Sequence, residues 1–179
     1  MIQNQKKSIK KKLMSGFTLV ELLIGLGVLA ILVVAATPSF LTSSVNNRLY
    51  SEKSQVLISL DLARAEALRQ NNYVSICATS NASTCSSGTD FSTGMIIFNN
   101  PGQAGLTSSS QIIRIIDPWT KKDKGKSNIT NGTLTFNGNG RTNTVSNILV
   151  CLSGYNSYSI NIAGSGNIMT TNNNGDGGC

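Results

Sequence analysis

Glu21 is the first residue in this chain that could do chemistry, because it is the one charge among the twenty residues from Phe17 to Ala36. At about 1.5 Å of rise per residue, that run is long enough as a helix to cross a hydrocarbon core roughly 30 Å thick. A carboxylate inside such a segment costs on the order of 2.5 to 3.5 kcal/mol near the bilayer centre and less near an edge, so Glu21 needs a partner or a proton. Four cysteines, Cys77, Cys85, Cys151 and Cys179, all follow the apolar run. They allow three pairings, of which spacing favours Cys77 with Cys85, closing a short polar loop, and Cys151 with Cys179, tying a glycine-rich tail to a strand. Bonds of that kind belong to an oxidising compartment. Neither pair has the CxxC spacing of a zinc site and the chain has no histidine, so no metal is expected.

Lys121, Lys122, Lys124 and Lys126, with Arg141, are the candidates for contact with nucleic-acid phosphates. Asp117 and Asp123 dilute that charge, and the segment reads as a solvated loop. Asp176, in Asn173-Asn174-Gly175-Asp176-Gly177, offers a single carboxylate, too few hard oxygen ligands for a calcium loop. There is no nucleophile elbow and no phosphate-binding loop, and Gly138 to Gly140 reads as a turn. Catalysis and a cofactor are therefore not expected.

The elements that position these residues follow from pattern. Lys6, Lys7, Lys10, Lys11 and Lys12 precede Gly16 without an acid among them and account for most of the +7 net charge. By the positive-inside tendency that end stays in the cytoplasm and the chain beyond the apolar run lies on the other side. Val45, Leu49, Val56, Leu60, Ala63 and Ala67 recur on one helical face, with Arg48, Glu52, Lys53, Asp61, Arg64 and Arg69 on the remainder. Pro38 should kink this helix rather than end it, since the periodicity resumes beyond it. One helix from Phe17 to about Gln70 would be roughly 80 Å long, so half of it must bury its surface in a bilayer or in neighbouring subunits.

From Asn71 the composition turns to Ser, Thr, Asn and Gly. Strands are expected at Tyr73 to Ala78, Gly94 to Phe98, Gln111 to Ile116, Gly132 to Phe136, Asn147 to Leu152, Tyr158 to Ala163 and Ile168 to Thr171. Leu134 and Phe136, like Ile160 and Ile162, alternate with polar residues, as in sheets wet on one face. The expected class is α+β, with a modest core packed on the apolar helix face. The expected divisions are a basic leader (1–16), a membrane span (17–37), an amphipathic continuation (38–70) and an exported β-rich domain (71–179).

Gly16-Phe17-Thr18-Leu19-Val20-Glu21, after a basic leader and before an apolar helix that ends near Pro38, resembles the class III signal of type IV pilins and type II secretion pseudopilins. The resemblance implies that a prepilin peptidase cuts after Gly16 and methylates the new amino terminus at Phe17. It also implies that Glu21 faces the amino terminus of an adjacent subunit, neutralising both charges away from water. The pilin fold sets a long N-terminal helix against a C-terminal antiparallel sheet. The implied location is a single pass through the bacterial inner membrane with the C-terminal domain in the periplasm, and the cell surface or pilus after assembly. The implied partners are the peptidase, other pilins and the inner-membrane assembly platform.

Further stretches narrow the likeness to the GspH/FimT branch. They are Asp61-Leu62-Ala63-Arg64-Ala65-Glu66-Ala67, Val74-Ser75-Ile76-Cys77 with Cys85, Gly94-Met95-Ile96-Ile97-Phe98, Ile112-Ile113-Arg114, Leu134 to Arg141, and Cys179. The branch implies a minor pilin or pseudopilin that initiates or caps a type IV pilus or a secretion pseudopilus, and the sequence does not separate these two. The alternative is a FimT-like minor pilin that binds DNA for uptake. Phe91 and Met95 stand where the branch commonly has tryptophans, and Gly166-Asn167-Ile168-Met169 stands where some FimT-like pilins carry GRxR. With no Lys or Arg after Arg141, DNA binding is expected to be weak at best.

Overall fold

The computed structural model describes residues 16–107, 110–119, 123–142, 144–173 and 179, with the side chains of 36–38 left out. The leader lysines, the Pro38 ring and Asp176 therefore lie outside the described residues. Two compact units are present, the first reaching Leu41 and the second running from Thr42 to Cys179.

Helix α1 spans Leu19–Gln70. Thr18 caps its start: the Glu21 backbone N–H donates to Thr18 Oγ1 at 3.2 Å, and the Leu22 N–H donates to the Thr18 carbonyl at 3.2 Å. A Thr cap with Glu three residues on has the sequence form of a capping box. Every large apolar side chain from Phe17 to Val34 is more than half exposed, from 53% at Val28 to 81% at Phe17. No single helix among the described residues is long and apolar enough to cross a membrane alone. Leu19–Ala35 and Ser39–Gln70 meet that requirement together, by length and composition.

In the second unit, Leu49, Val56, Leu60, Ala63 and Ala67 have no exposed surface, each larger side chain contributing roughly 1.5 to 3 kcal/mol by burial. The helix ends where Asn71 turns left-handed at φ 49°. The Asn72 N–H reaches the Ala67 carbonyl at 3.2 Å and the Asn71 N–H the Leu68 carbonyl at 3.3 Å, the paired bonds of a Schellman stop.

Among the described residues eight strands follow: β1 (Val74–Ala78), β2 (Met95–Asn99), β3 (Ile112–Ile116), β4 (Lys124–Ser127), β5 (Thr133–Phe136), β6 (Ser146–Cys151), β7 (Ser157–Ile162) and β8 (Ile168–Asn173). They form two four-stranded sheets, ordered β3-β2-β1-β5 and β4-β6-β7-β8, with every strand pair antiparallel. Ile76, Ile97, Leu134 and Phe136 from the first sheet and Ile148, Val150, Ile160 and Ile162 from the second share one core with the helix stripe.

Three sequence expectations change. Lys124–Ser127 is a strand, not part of a solvated loop, because β6 supplies its pairing from Lys124↔Cys151 to Ser127↔Ile148. Glu52, placed on the polar face, is buried at 7% exposure. In the first sheet, β1 and β2 are covered on both faces, since Cys77, Ile96 and Phe98 pack against Cys85 and Leu106 on the side away from the main core.

Candidate assembly segment and buried polar cluster

Gly16, Phe17 and Thr18 precede the first turn of α1. A Cβ added at Gly16 would meet nothing within 4 Å among the described residues, whose packing therefore does not require glycine there. Glu21 lies exposed in the first helical turn, where a carboxylate complements the positive end of the helix dipole. Among the described residues no salt bridge reaches it.

The structure bonds Cys77 to Cys85 (Cα–Cα 5.6 Å) and Cys151 to Cys179 (Cα–Cα 5.8 Å). The first bond ties β1 to the loop after it, and the second ties the end of β6 to Cys179. Lys126 adds to the second tie by donating from Nζ to the Cys179 carbonyl at 2.7 Å.

Among the described basic candidates, Lys124 and Lys126 share the exposed face of β4, and Arg141 lies elsewhere. Lys121 and Lys122 lie outside the described residues. Lys124 sits on β4 with Nζ 3.5 Å from Asp90 Oδ2. Burial pushes the Asp90 carboxyl up, but the hydrogen bonds it accepts from Ser92 and Gly125, with Lys124 nearby, hold it below the usual carboxylate range. Arg141 is exposed on a different element, the turn after β5, where its N–H donates to Asn137 Oδ1 at 3.0 Å. Gly166 lies in the β7–β8 turn at φ +79°, and Met169, further along, is 55% exposed.

Sequence reasoning missed a polar group that joins α1 to the start of β4 in the second unit. Arg48 on α1 grips Asp123 with two hydrogen bonds, Nε to Oδ2 at 2.6 Å and a terminal nitrogen to Oδ1 at 2.8 Å. The Asp123 side chain has no exposed surface, and Glu52, one turn beyond Arg48, keeps 9% of its own. Arg48 Nε is 3.9 Å from Glu52 Oε1. Burial pushes the Glu52 carboxyl up to about 8, and a hydrogen bond with Asp123 and that residue's charge push the same way against the pull of Arg48. A signal was present: in the stripe Leu49, Glu52, Val56, the acid fills the helical position that the apolar spacing skips.

The profile of the family described as Type II transport protein GspH matches residues 54–166, and that of the prokaryotic N-terminal methylation motif matches residues 11–37. This chain belongs to the GspH family. Two crystal forms of the type IV minor pilin FimU from Pseudomonas aeruginosa share its fold. The P21 form has a TM-score of 0.56 at 23% identity, with 70% of this chain and 90% of that chain covered. The P65 form has a TM-score of 0.53 at 23% identity, with 68% and 91% covered. No curated protein matches the chain. The architecture is the α+β pilin fold, a helix packed on antiparallel sheets, and the family is one of structural subunits of type IV pili or type II secretion systems. Membership brings association with other pilins and with the prepilin peptidase that reads the methylation motif.

Proposed function

We propose that this GspH-family chain is a minor pilin or pseudopilin cut after Gly16 by prepilin peptidase and N-methylated at Phe17. It is then held by one pass in the bacterial inner membrane with the β-rich domain in the periplasm. It enters a filament by its N-terminal helix, initiating or capping it, and meets the assembly platform and other pilins there. Glu21 pairs with the amino terminus of a neighbouring subunit. The observation that carries this reading is the uncovered apolar helix surface from Phe17 to Val34. Contiguous apolar surface on that scale marks a membrane or protein interface. Its one carboxylate then has to find a partner inside that interface.

Mass spectrometry of membrane-extracted protein from a peptidase-competent host should find N-methylated Phe17 first, and Gly16→Leu should retain the leader. Mature protein beginning at Met1 would refute the reading. Glu21→Ala should insert at least as well as wild type, since a costly polar group is gone, while co-purification with filament components falls. Equal co-purification of both chains would remove the pairing role.

A further inference from the structure

The cluster of Arg48, Glu52 and Asp123 contains two carboxyl groups shielded from water and one guanidinium whose side chain stays 28% exposed. Asp123 is spoken for by both Arg48 hydrogen bonds. Glu52 is held beside it at the edge of the same cation, and two buried carboxylates this close cannot both stay ionised under a single positive charge. Among the described residues, few other charged or titratable groups lie around it. Arg114 and Asp117 line the groove of about 490 Å³ that Glu52 also lines between α1 and β3. Tyr155 acts on Arg48 from the β6–β7 turn. Lys53, the next residue on α1, is turned to the Tyr50 ring at 3.9 Å and the Tyr158 ring at 5.2 Å. The groove gives Glu52 a route for proton exchange with solvent.

What the cluster holds is the start of β4. Asp123 directly precedes that strand, whose Gly125 N–H donates to Asp90 Oδ1 at 3.1 Å and whose Ser127 N–H donates to the Thr89 carbonyl at 2.8 Å. Lys126 in the same strand reaches Cys179. We propose that Glu52 and Asp123 share one proton beneath Arg48, and that losing this proton loosens the joint between α1 and β4, making the cluster a pH-sensitive latch on the exported domain.

The direction of the pH effect follows from linkage. In the folded chain Glu52 keeps its proton up to about pH 8, whereas its unperturbed value is 4.5. The proton's contribution to stability is therefore complete below about pH 4.5, declines as pH rises and is gone above about pH 8. Urea unfolding of the full chain in detergent, followed by Trp119 fluorescence from pH 5 to 9, tests this beside Glu52→Gln. The amide keeps a donor toward Asp123 at every pH. The wild-type folding constant should fall relative to the variant by up to about tenfold per pH unit within that window, and then run parallel. A ratio that stays constant from pH 5 to 8 overturns the proposal. Should Glu52→Gln not fold, the wild-type Glu52 carboxyl carbon, followed by NMR, decides: titration near 8 supports the shared proton and titration near 4.5 overturns it. The latch itself reads out in hydrogen exchange. Protection of the Gly125 and Ser127 amides should drop several-fold more than that of Ile160 as pH passes 8, and equal changes would overturn it.

Discussion

Gly166→Ala tests whether the β7–β8 turn is built by steric contact as well as by backbone conformation. Gly166 has φ +79°, and a Cβ there would lie 1.8 Å from the Gly140 carbonyl oxygen and 3.2 Å from Arg64 Nε. Arg64 Nε donates to that same carbonyl at 3.1 Å, so the methyl group would land on a bond that pins the end of α1 to the turn after β5. A backbone oxygen has no rotamer with which to yield. The left-handed conformation costs a non-glycine residue about 1 to 2 kcal/mol, and forcing a group into packed structure adds about 1 to 3. Gly154 provides the control, since it has φ +84° with nothing within 4 Å of its would-be Cβ. Gly154→Ala should lose only the conformational part. The two variants should therefore differ by about 1 to 3 kcal/mol, roughly 5- to 150-fold in folding constant. Urea unfolding monitored by the single tryptophan, Trp119, measures it, because its indole donates to Gln55 Oε1 at 3.1 Å and reports on helix and sheet together. Equal losses in the two variants would show that the turn tolerates the methyl group and that the Arg64 contact does not organise it.

Two further outcomes are expected. With Cys77 and Cys85 both changed to Ala, reducing the remaining Cys151–Cys179 bond should cost about 3.6 kcal/mol, against about 2.5 for Cys77–Cys85 in the converse variant. The sequence separations are 28 and 8 residues, and a reversed order in urea unfolding would mean that native packing outweighs loop closure. Duplex DNA titrated at physiological salt should bind no tighter than micromolar, and Lys121/Lys122/Lys124/Lys126→Ala should change this little, because Lys124 and Lys126 already have partners. Sub-micromolar binding that vanishes in the variant would place a site on those lysines.

Periodicity made the core of the fold legible. The stripe from Leu49 to Ala67 announces a helix buried on one side, and the alternation of Leu134 with Phe136 announces a strand. Such signals are local, and local signals do not assign strands to sheets. That β5 pairs with β1 while β4 joins β6 depends on residues far apart in sequence. Lys124-Gly125-Lys126-Ser127 has no apolar alternation and is extended because of its neighbours. The assembly segment is the converse case. Gly16, Phe17 and Glu21 stand out in the sequence, yet the described residues of a single subunit give them little to touch.

The buried cluster shows how a gap in an apolar pattern carries information. Leu49 and Val56 are seven residues apart, two helical turns on one face, and the position between them must also face the core. An acid there either breaks the stripe or is buried with a partner. The partner could not be read locally, because Asp123 lies 75 residues from Arg48 and looks, in sequence, like one acid among lysines. Burying an ion pair against a second carboxyl contributes less stability than a well-packed apolar group would. The strength of the bond alone therefore gives little reason for an ion pair between α1 and the start of β4, and the proposed shared proton gives it a measurable consequence. This is the physical ground for testing Glu52 across pH and not only by deletion.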